Sequence, residues 1–319
     1  MVRRTWQSAM IALARSPAWK QWMQGRRAAS RLAGRYVGGS DVARAVETAK
    51  ALRSRNIRTS LFYLGEYVDS EDLVKENVEA KLAVAGQLAE AGLDVHLSVD
   101  PTQVGCAIDW AAGCANAERI AQAVQGAAAK RSGVHCLMLD MEDFSVNQAT
   151  LELHDRLRDL GLPMAQTLQA YLHKTQGDME RMIAQGAKVR LVKGAFAAGS
   201  DIAYTAQRDI KANYRRLIDV MLSASAKAAG FYPIFATHDH RLQRYAIERA
   251  RAQGWEPGSY EFEMLYGVRP GLAQGLADAG ERIRLYLPFG RDWWPYAVRR
   301  IGENPNNALL LARSLVSAG

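Results

Sequence analysis

Arg299 and Arg300 stand side by side near the C-terminus. Paired guanidinium groups suit a carboxylate, because each can donate two parallel N–H bonds. Tyr296 precedes them and Glu303 follows them at helical spacing, so on a helix all four side chains share one face. Trp294, Ala297, Val298 and Ile301 fall on the adjacent apolar face, which can pack on a core. Asp292 is a candidate N-cap and Pro295 sits in the first turn, which marks where the helix begins. A strand over Ile283–Leu287 and a Pro-Phe-Gly turn lead into it and carry Tyr286 nearby. The chemistry would be a carboxylate clamp flanked by Tyr286 and Tyr296. A solvated Arg-Arg-x-x-Glu surface face accounts for the same spacing, and this stretch alone does not choose.

The elements that would position such a clamp alternate regularly. Strand-like runs fall at Thr59–Gly65, Asp94–Val99, His135–Asp140, Ala165–Tyr171, Val189–Lys193, Tyr232–Thr237, Tyr260–Leu265 and Ile283–Leu287. Helical periodicity separates them at Asp69–Ala91, Cys114–Ala129, Val146–Leu160, Gln176–Gln185, Asp209–Ala228, Leu242–Ala252 and Leu272–Ala279, with a further helix, Asp41–Arg55, ahead of the first strand. Eight strand–helix units within residues 41–319 predict a (β/α)8 TIM-like barrel preceded by a basic N-terminal helical extension over residues 1–40. A doubly wound sheet is the competitor, but no GxGxxG follows the first strand.

Active sites of such barrels lie at the C-terminal ends of the strands. Here those ends are polar almost throughout: Gly65-Glu66; His96, Ser98 and Asp100; Asp140-Met141-Glu142-Asp143; Gln169-Ala170-Tyr171; Arg190 to Phe196; Thr237-His238-Asp239; Glu261 to Gly267; and Tyr286. Structural barrel interiors are mostly Val, Ile and Leu, so eight polar ends together point to an enzyme.

Composition narrows the class further. Residues 1–40 hold eight Lys or Arg and no acid, which leaves 33 of the 41 basic residues to balance all 33 acids. The net charge of +8 therefore belongs to the extension, and the body offers no basic groove for nucleic acid. Trp6, Met10, Leu13, Trp19, Trp22 and Met23 give that extension two short amphipathic helices around Pro17. Three readings fit them: helices packed on the barrel, a peripheral contact with the inner face of a bacterial membrane, or a mitochondrial transit peptide. No apolar run approaches a membrane span, and no secretory signal opens the chain. Cys106, Cys114 and Cys136 are odd in number and lack CxxC spacing, which indicates a reducing compartment, the cytoplasm, and no zinc site. His238-x-His240 is not a metal motif, and no metal is expected.

Six segments taken together resemble the proline dehydrogenase family, in its small bacterial monofunctional form: LDMED (139–143), LQAYL (168–172), RLVKGAF (190–196), FATHD (235–239), FEMLYGVRP (262–270) and RLYLPFGRDWWPYAVRRIGENPNN (284–307). The resemblance implies FAD-dependent oxidation of L-proline to Δ1-pyrroline-5-carboxylate, with hydride passing to flavin N5 and reoxidation by a quinone. It places Arg190 near N5, where a cation stabilises the reduced anionic flavin. It lines the cofactor with Met141, Val192, Lys193, Gly194 and Ala195, sets Gln169 at the isoalloxazine edge and puts Thr237 and His238 at the tail. Arg299 and Arg300 clamp the substrate carboxylate beside Tyr296. Leu265 and Tyr286 wall the pyrroline ring, and Asp140 holds the pocket by a hydrogen bond or charge pair. Glu303 is counted with the cofactor residues and can keep an arginine aimed on its own helix face. No side chain stands out as a dedicated base for the amine proton, and solvent suffices.

Three positions depart from the family pattern. A strand-2 lysine in a K-L-[ST] context is matched here by His96-Leu97-Ser98, Phe196 replaces a tyrosine, and Glu263 stands where glutamine is usual. Loss of a lysine contact would weaken carboxylate binding by about 1–3 kcal/mol. A same-fold flavin dehydrogenase acting on another cyclic secondary or N-substituted amino acid is therefore an alternative, as is a catalytically degenerate barrel with a binding role.

Overall fold

The computed structural model describes residues 34–65, 68–129 and 131–297. Eight parallel strands close on themselves in sequence order, with β1 paired to both β2 and β8. They are β1 Ile57–Tyr63, β2 His96–Val99, β3 Cys136–Leu139, β4 Met164–Gln169, β5 Lys188–Val192, β6 Tyr232–Ala236, β7 Glu261–Leu265 and β8 Ile283–Phe289. The helices are α1 Val42–Arg53, α2 Glu71–Glu90, α3 Trp110–Ala128, α4 Asn147–Asp159, α5 Thr175–Ala184, α6 Gln207–Met221, α7 Ala224–Ala228, α8 His240–Ala252 and α9 Pro270–Asp278.

Local chemistry sets the boundaries. Asp41, Ser70, Asp109 and Asp239 cap α1, α2, α3 and α8 by accepting backbone N–H groups that have no partner within the helix. The single helix expected over Asp209–Ala228 is two, because Ser223 breaks it and caps α7 at Ala226 N. The turn expected at Pro288-Phe289 is instead the end of β8. Pro288 O there accepts from Gly38 N and Gly39 O accepts from Gly290 N, so the segment before α1 is tied to β8.

The strands bury both faces differently. Outward residues such as Leu97, Leu137, Leu139, Val189, Leu191, Phe262, Leu285 and Leu287 join the apolar layer beneath the helices. Inward residues alternate with them and are mostly polar, apart from a small plug of Cys136, Met138, Ala165 and Ile234. Toward the N-terminal end, fully buried Arg284 meets both oxygens of Glu261 at 2.7 and 3.1 Å, Asp94 at 2.8 Å and the Thr59 carbonyl at 2.8 Å. This network joins β8, β7, β1 and the approach to β2. Burial disfavours the charge of a guanidinium, and these carboxylates more than offset it.

Candidate functional site

Arg190 projects inward from β5 into the mouth of the barrel and is 4% exposed. Its five N–H groups match five hydrogen bonds. Nε and Nη2 donate to Thr167 Oγ1 at 3.1 and 2.8 Å, Nη1 donates to Ser98 Oγ at 3.2 Å and Glu263 Oε1 at 2.8 Å, and Nη2 donates to Asp140 Oδ1. Its guanidinium carbon lies 5.4 Å from the centre of the Tyr286 ring, and the Tyr286 hydroxyl donates to Asp140 Oδ2 at 2.8 Å. The ring of Phe62 lies 5.1 Å from that of Tyr286. With its edges spent, the guanidinium presents only its faces, and it acts on a neighbour through charge rather than a directed hydrogen bond.

Strand alternation explains the grouping. Ser98, Thr167, Arg190, Glu263 and Tyr286 all occupy inward positions of different strands, and closure of the barrel brings them together. Leu265 is the register partner of Tyr286 and stands half-buried at the end of β7. Burial raises the Glu263 carboxyl above the ordinary range, Arg190 opposes that shift, and Glu261 adds to it.

His96 corrects an expectation. It lies two residues before Ser98 on the same inward face, about 6.6 Å deeper from the mouth. It is fully buried, and its Nδ1 lies 2.9 Å from Ser60 Oγ. Burial first, then Arg284 and Arg190, hold its pKa well below the usual imidazole range. It is a neutral interior side chain and not a third cation for a substrate.

At the end of β4, beside β5, Gln169 donates from Nε2 to the carbonyls of Met141 and Glu142 at 3.2 and 3.1 Å. Its Oε1 is buried without a hydrogen-bond partner, and so is the Tyr171 hydroxyl. The chain after β5 runs through Val192, Lys193, Gly194 and Ala195. Gly194 has φ +96°, and a Cβ there would lie 2.1 Å from Tyr171 Cδ1. Only glycine lets the backbone pass so close to that ring. An unpartnered acceptor and a bare backbone stretch beside it fit a flat ligand with an N–H on its edge, as the isoalloxazine of FAD has.

Beyond them, Lys193 Nζ and Lys211 Nζ lie 3.6 and 3.0 Å from Asp239 Oδ2. Burial pushes the Asp239 carboxyl up, but the bonds from Lys211 and the Arg241 N–H, together with the charge of Lys193, outweigh it and hold the pKa at about 2. Thr237 Oγ1 accepts from Asp239 N at 3.1 Å, and His238 Nε2 accepts from Leu265 N at 3.3 Å. The first bond shapes the loop after β6, and the second ties it to the end of β7. Tyr296 is buried. Arg299, Arg300 and Glu303 lie outside the described residues, as do the helices expected before residue 34.

Sequence reasoning passed over two participants. Thr167 holds Arg190 together with Ser98, already counted among the polar strand ends, and the period-2 alternation of β4 was the available signal. Lys81, on α2, is 1% exposed; its Nζ donates to Asn77 Oδ1 at 3.2 Å and Gln103 Oε1 at 3.3 Å. Gln103 in turn donates to the carbonyls of Tyr63 and Gly65 at 3.3 and 3.1 Å, so a buried amine braces the loops after β1 and β2. Its signal was its place on the apolar stripe Val78, Lys81, Val84, Ala85, Leu88. Among the described residues no group of three or more His, Cys, Asp or Glu could hold a metal ion, and no helix is long and apolar enough to cross a membrane.

Comparison with known proteins agrees with this geometry. The family model described as proline dehydrogenase matches residues 45–313. A proline dehydrogenase of Deinococcus radiodurans is 33% identical over 321 residues, covering 99% of both chains. Proline dehydrogenase 2 of Bacillus subtilis is 31% identical over 277 residues, covering 86% of this chain and 87% of the relative. Among solved structures, proline utilization A of Bdellovibrio bacteriovorus superposes with a TM-score of 0.73 at 23% identity, over 86% of this chain and 32% of that one. That of Corynebacterium freiburgense gives 0.74 at 20% identity, over 99% and 35%. These two likenesses concern the barrel fold, and this chain spans about a third of each of those larger proteins.

Proposed function

The chain belongs to the proline dehydrogenase family, and from that premise we propose that it oxidises L-proline at the C5–N bond to Δ1-pyrroline-5-carboxylate. FAD, when bound, supplies the hydride acceptor at its N5 and is reoxidised by a quinone. The observation that carries the reading is the mouth of the barrel, where a fully hydrogen-bonded Arg190 is locked between Asp140 and Glu263 under the ring of Tyr286. A fixed cation in a water-poor site favours negative charge arriving beside it.

The cofactor would be held by the Gln169 acceptor, the backbone from Val192 to Ala195, Met141 at the end of β3, and Thr237, His238 and Lys193 toward its tail. Leu265 and Tyr286 would cap the proline ring. Arg299 and Arg300, beside Tyr296, would take its carboxylate, with Glu303 keeping the helix face in order. The amine proton leaves to solvent. A quinone acceptor brings the reaction to a membrane, which suits a basic amphipathic extension over residues 1–40 of a protein working in the cytoplasm.

A second reading, oxidation of another cyclic secondary or N-substituted amino acid, is favoured by the neutrality of His96 where a cation was expected. One experiment separates them. Under anaerobic conditions L-proline should bleach the visible absorbance of the purified flavoprotein. Bleaching by an N-substituted or larger cyclic amino acid, and not by saturating L-proline, would establish the second reading. A colourless protein that added FAD does not restore would point to a binding barrel instead.

A further inference from the structure

Arg190 faces two carboxylates, and they are not equivalent. Asp140 is satisfied on both oxygens, by Arg190 and by the Tyr286 hydroxyl. Glu263 accepts one hydrogen bond, from Arg190 Nη1 at 2.8 Å, and its Oε2 is buried without a partner. A buried, half-satisfied carboxylate is costly to keep ionised, and the Arg190 guanidinium supplies the one hydrogen bond that supports its charge. One cation therefore stands against two carboxylates, one of which takes up a proton at small cost.

We propose that Glu263 is a positioning residue that sets how much of the Arg190 charge is left to a bound flavin, and that it takes up a proton from solvent when the flavin is reduced. The proposal rests on the FAD-dependent reading above. With Glu263 ionised, the charge of Arg190 is more than balanced and the oxidised, neutral flavin is favoured. Negative charge on a bound, reduced flavin near Arg190 would compete with Glu263 for the same cation, and protonation of Glu263 would relieve that competition. The charges facing Glu263 fit this role. Arg190 from β5 and Arg284 from β8 favour its ionised form, and Glu261 from its own strand opposes it. Asp140 and Cys136 approach from β3 and Tyr286 from β8, while the β6 neighbours Ile234 and Ala236 carry no charge. Burial pushes the Glu263 carboxyl up, in the direction of ready protonation.

The test is the midpoint potential of the bound flavin in the full-length holoenzyme and in Glu263→Gln, which keeps the shape and an acceptor for Arg190 but not the charge. Removal of the charge should favour the reduced form by tenfold or more, which for a two-electron couple is about 30 mV more positive. The parent should also take up one more proton on reduction than the variant, seen as a steeper dependence of potential on pH. Glu263→Asp, which keeps the charge, should stay near the parent. A potential and pH slope unchanged by Glu263→Gln would overturn the proposal while leaving the FAD reading intact. Absence of flavin from the parent would overturn both. If Glu263→Gln does not fold, redox difference infrared spectra of the parent decide: a protonated-carboxyl band should appear on reduction, and its absence overturns the proposal.

Discussion

The Tyr286 hydroxyl, from the middle of β8, lies 2.8 Å from Asp140 Oδ2 at the end of β3, and so bridges the mouth of the barrel between strands that are not neighbours. The other oxygen of the same carboxylate accepts from Arg190. A single aspartate thus orients both the cation and the ring stacked against it.

Removal of that hydroxyl tests the bridge. A hydrogen bond to a charged group is worth roughly 1.5–3 kcal/mol. Tyr286→Phe should therefore lower kcat/KM for the preferred substrate by tenfold or more, read by steady-state kinetics with an artificial acceptor. A value within twofold of the parent would show that Asp140 needs no help from Tyr286.

Gly194 tests the cofactor cradle. Its φ is +96°, and the alanine Cβ would stand only 2.1 Å from Tyr171 Cδ1, so Gly194→Ala must move the backbone or the ring. The purified variant should carry less than half the flavin of the parent, measured from the ratio of visible to protein absorbance. Full flavin content would place the cofactor elsewhere.

Lys81 makes stability depend on pH. Burial lowers its pKa to about 7, below the unfolded value near 10.4. Between those values the unfolded chain binds more protons, so stability rises with pH across that window, by up to about 1.4 kcal/mol per unit. Urea melts of the parent and Lys81→Met at pH 7 and pH 9 should show the parent gaining relative to the variant at the higher pH. A constant difference would mean that the amine stays charged in the folded protein at both pH values.

His96 gives a prediction by its silence. Held neutral by burial and by Arg284 and Arg190, it contributes no charge near neutral pH. His96→Gln should leave the ratio of carboxylate-inhibitor affinities at pH 6 and pH 8 within twofold of the parent. Loss of a strong pH dependence in the variant would restore the imidazole as a ligand.

What the sequence made legible follows from short-range rules. Eight strand-like runs separated by helical periodicity marked the barrel, and polar strand ends marked the mouth, so the barrel and the place of Arg190, Asp140 and Tyr286 were readable from position alone. The depth of His96 was not. It points inward as expected, but which inward residue reaches the mouth depends on where each strand ends, and β2 stops at Val99. Nor were the partners of Arg190. Ser98 and Arg190 are 92 residues apart, and only the stagger of a closed barrel makes them touch. Lys81 was hidden differently: it sits in a Glu- and Lys-rich helix that resembles a solvated one, and only the apolar residues sharing its stripe set it apart.

The saturation of Arg190 has a kinetic side. Its donors are committed on folding to groups from β2, β3, β4 and β7, so the side chain cannot swing toward an arriving molecule unless an existing partner lets go. The electrostatic field at the mouth is then a property of the folded scaffold, with little dielectric relaxation left to occur as charge moves. A site built this way should change its rate smoothly with temperature and viscosity, because no rotation of its central cation gates the transfer.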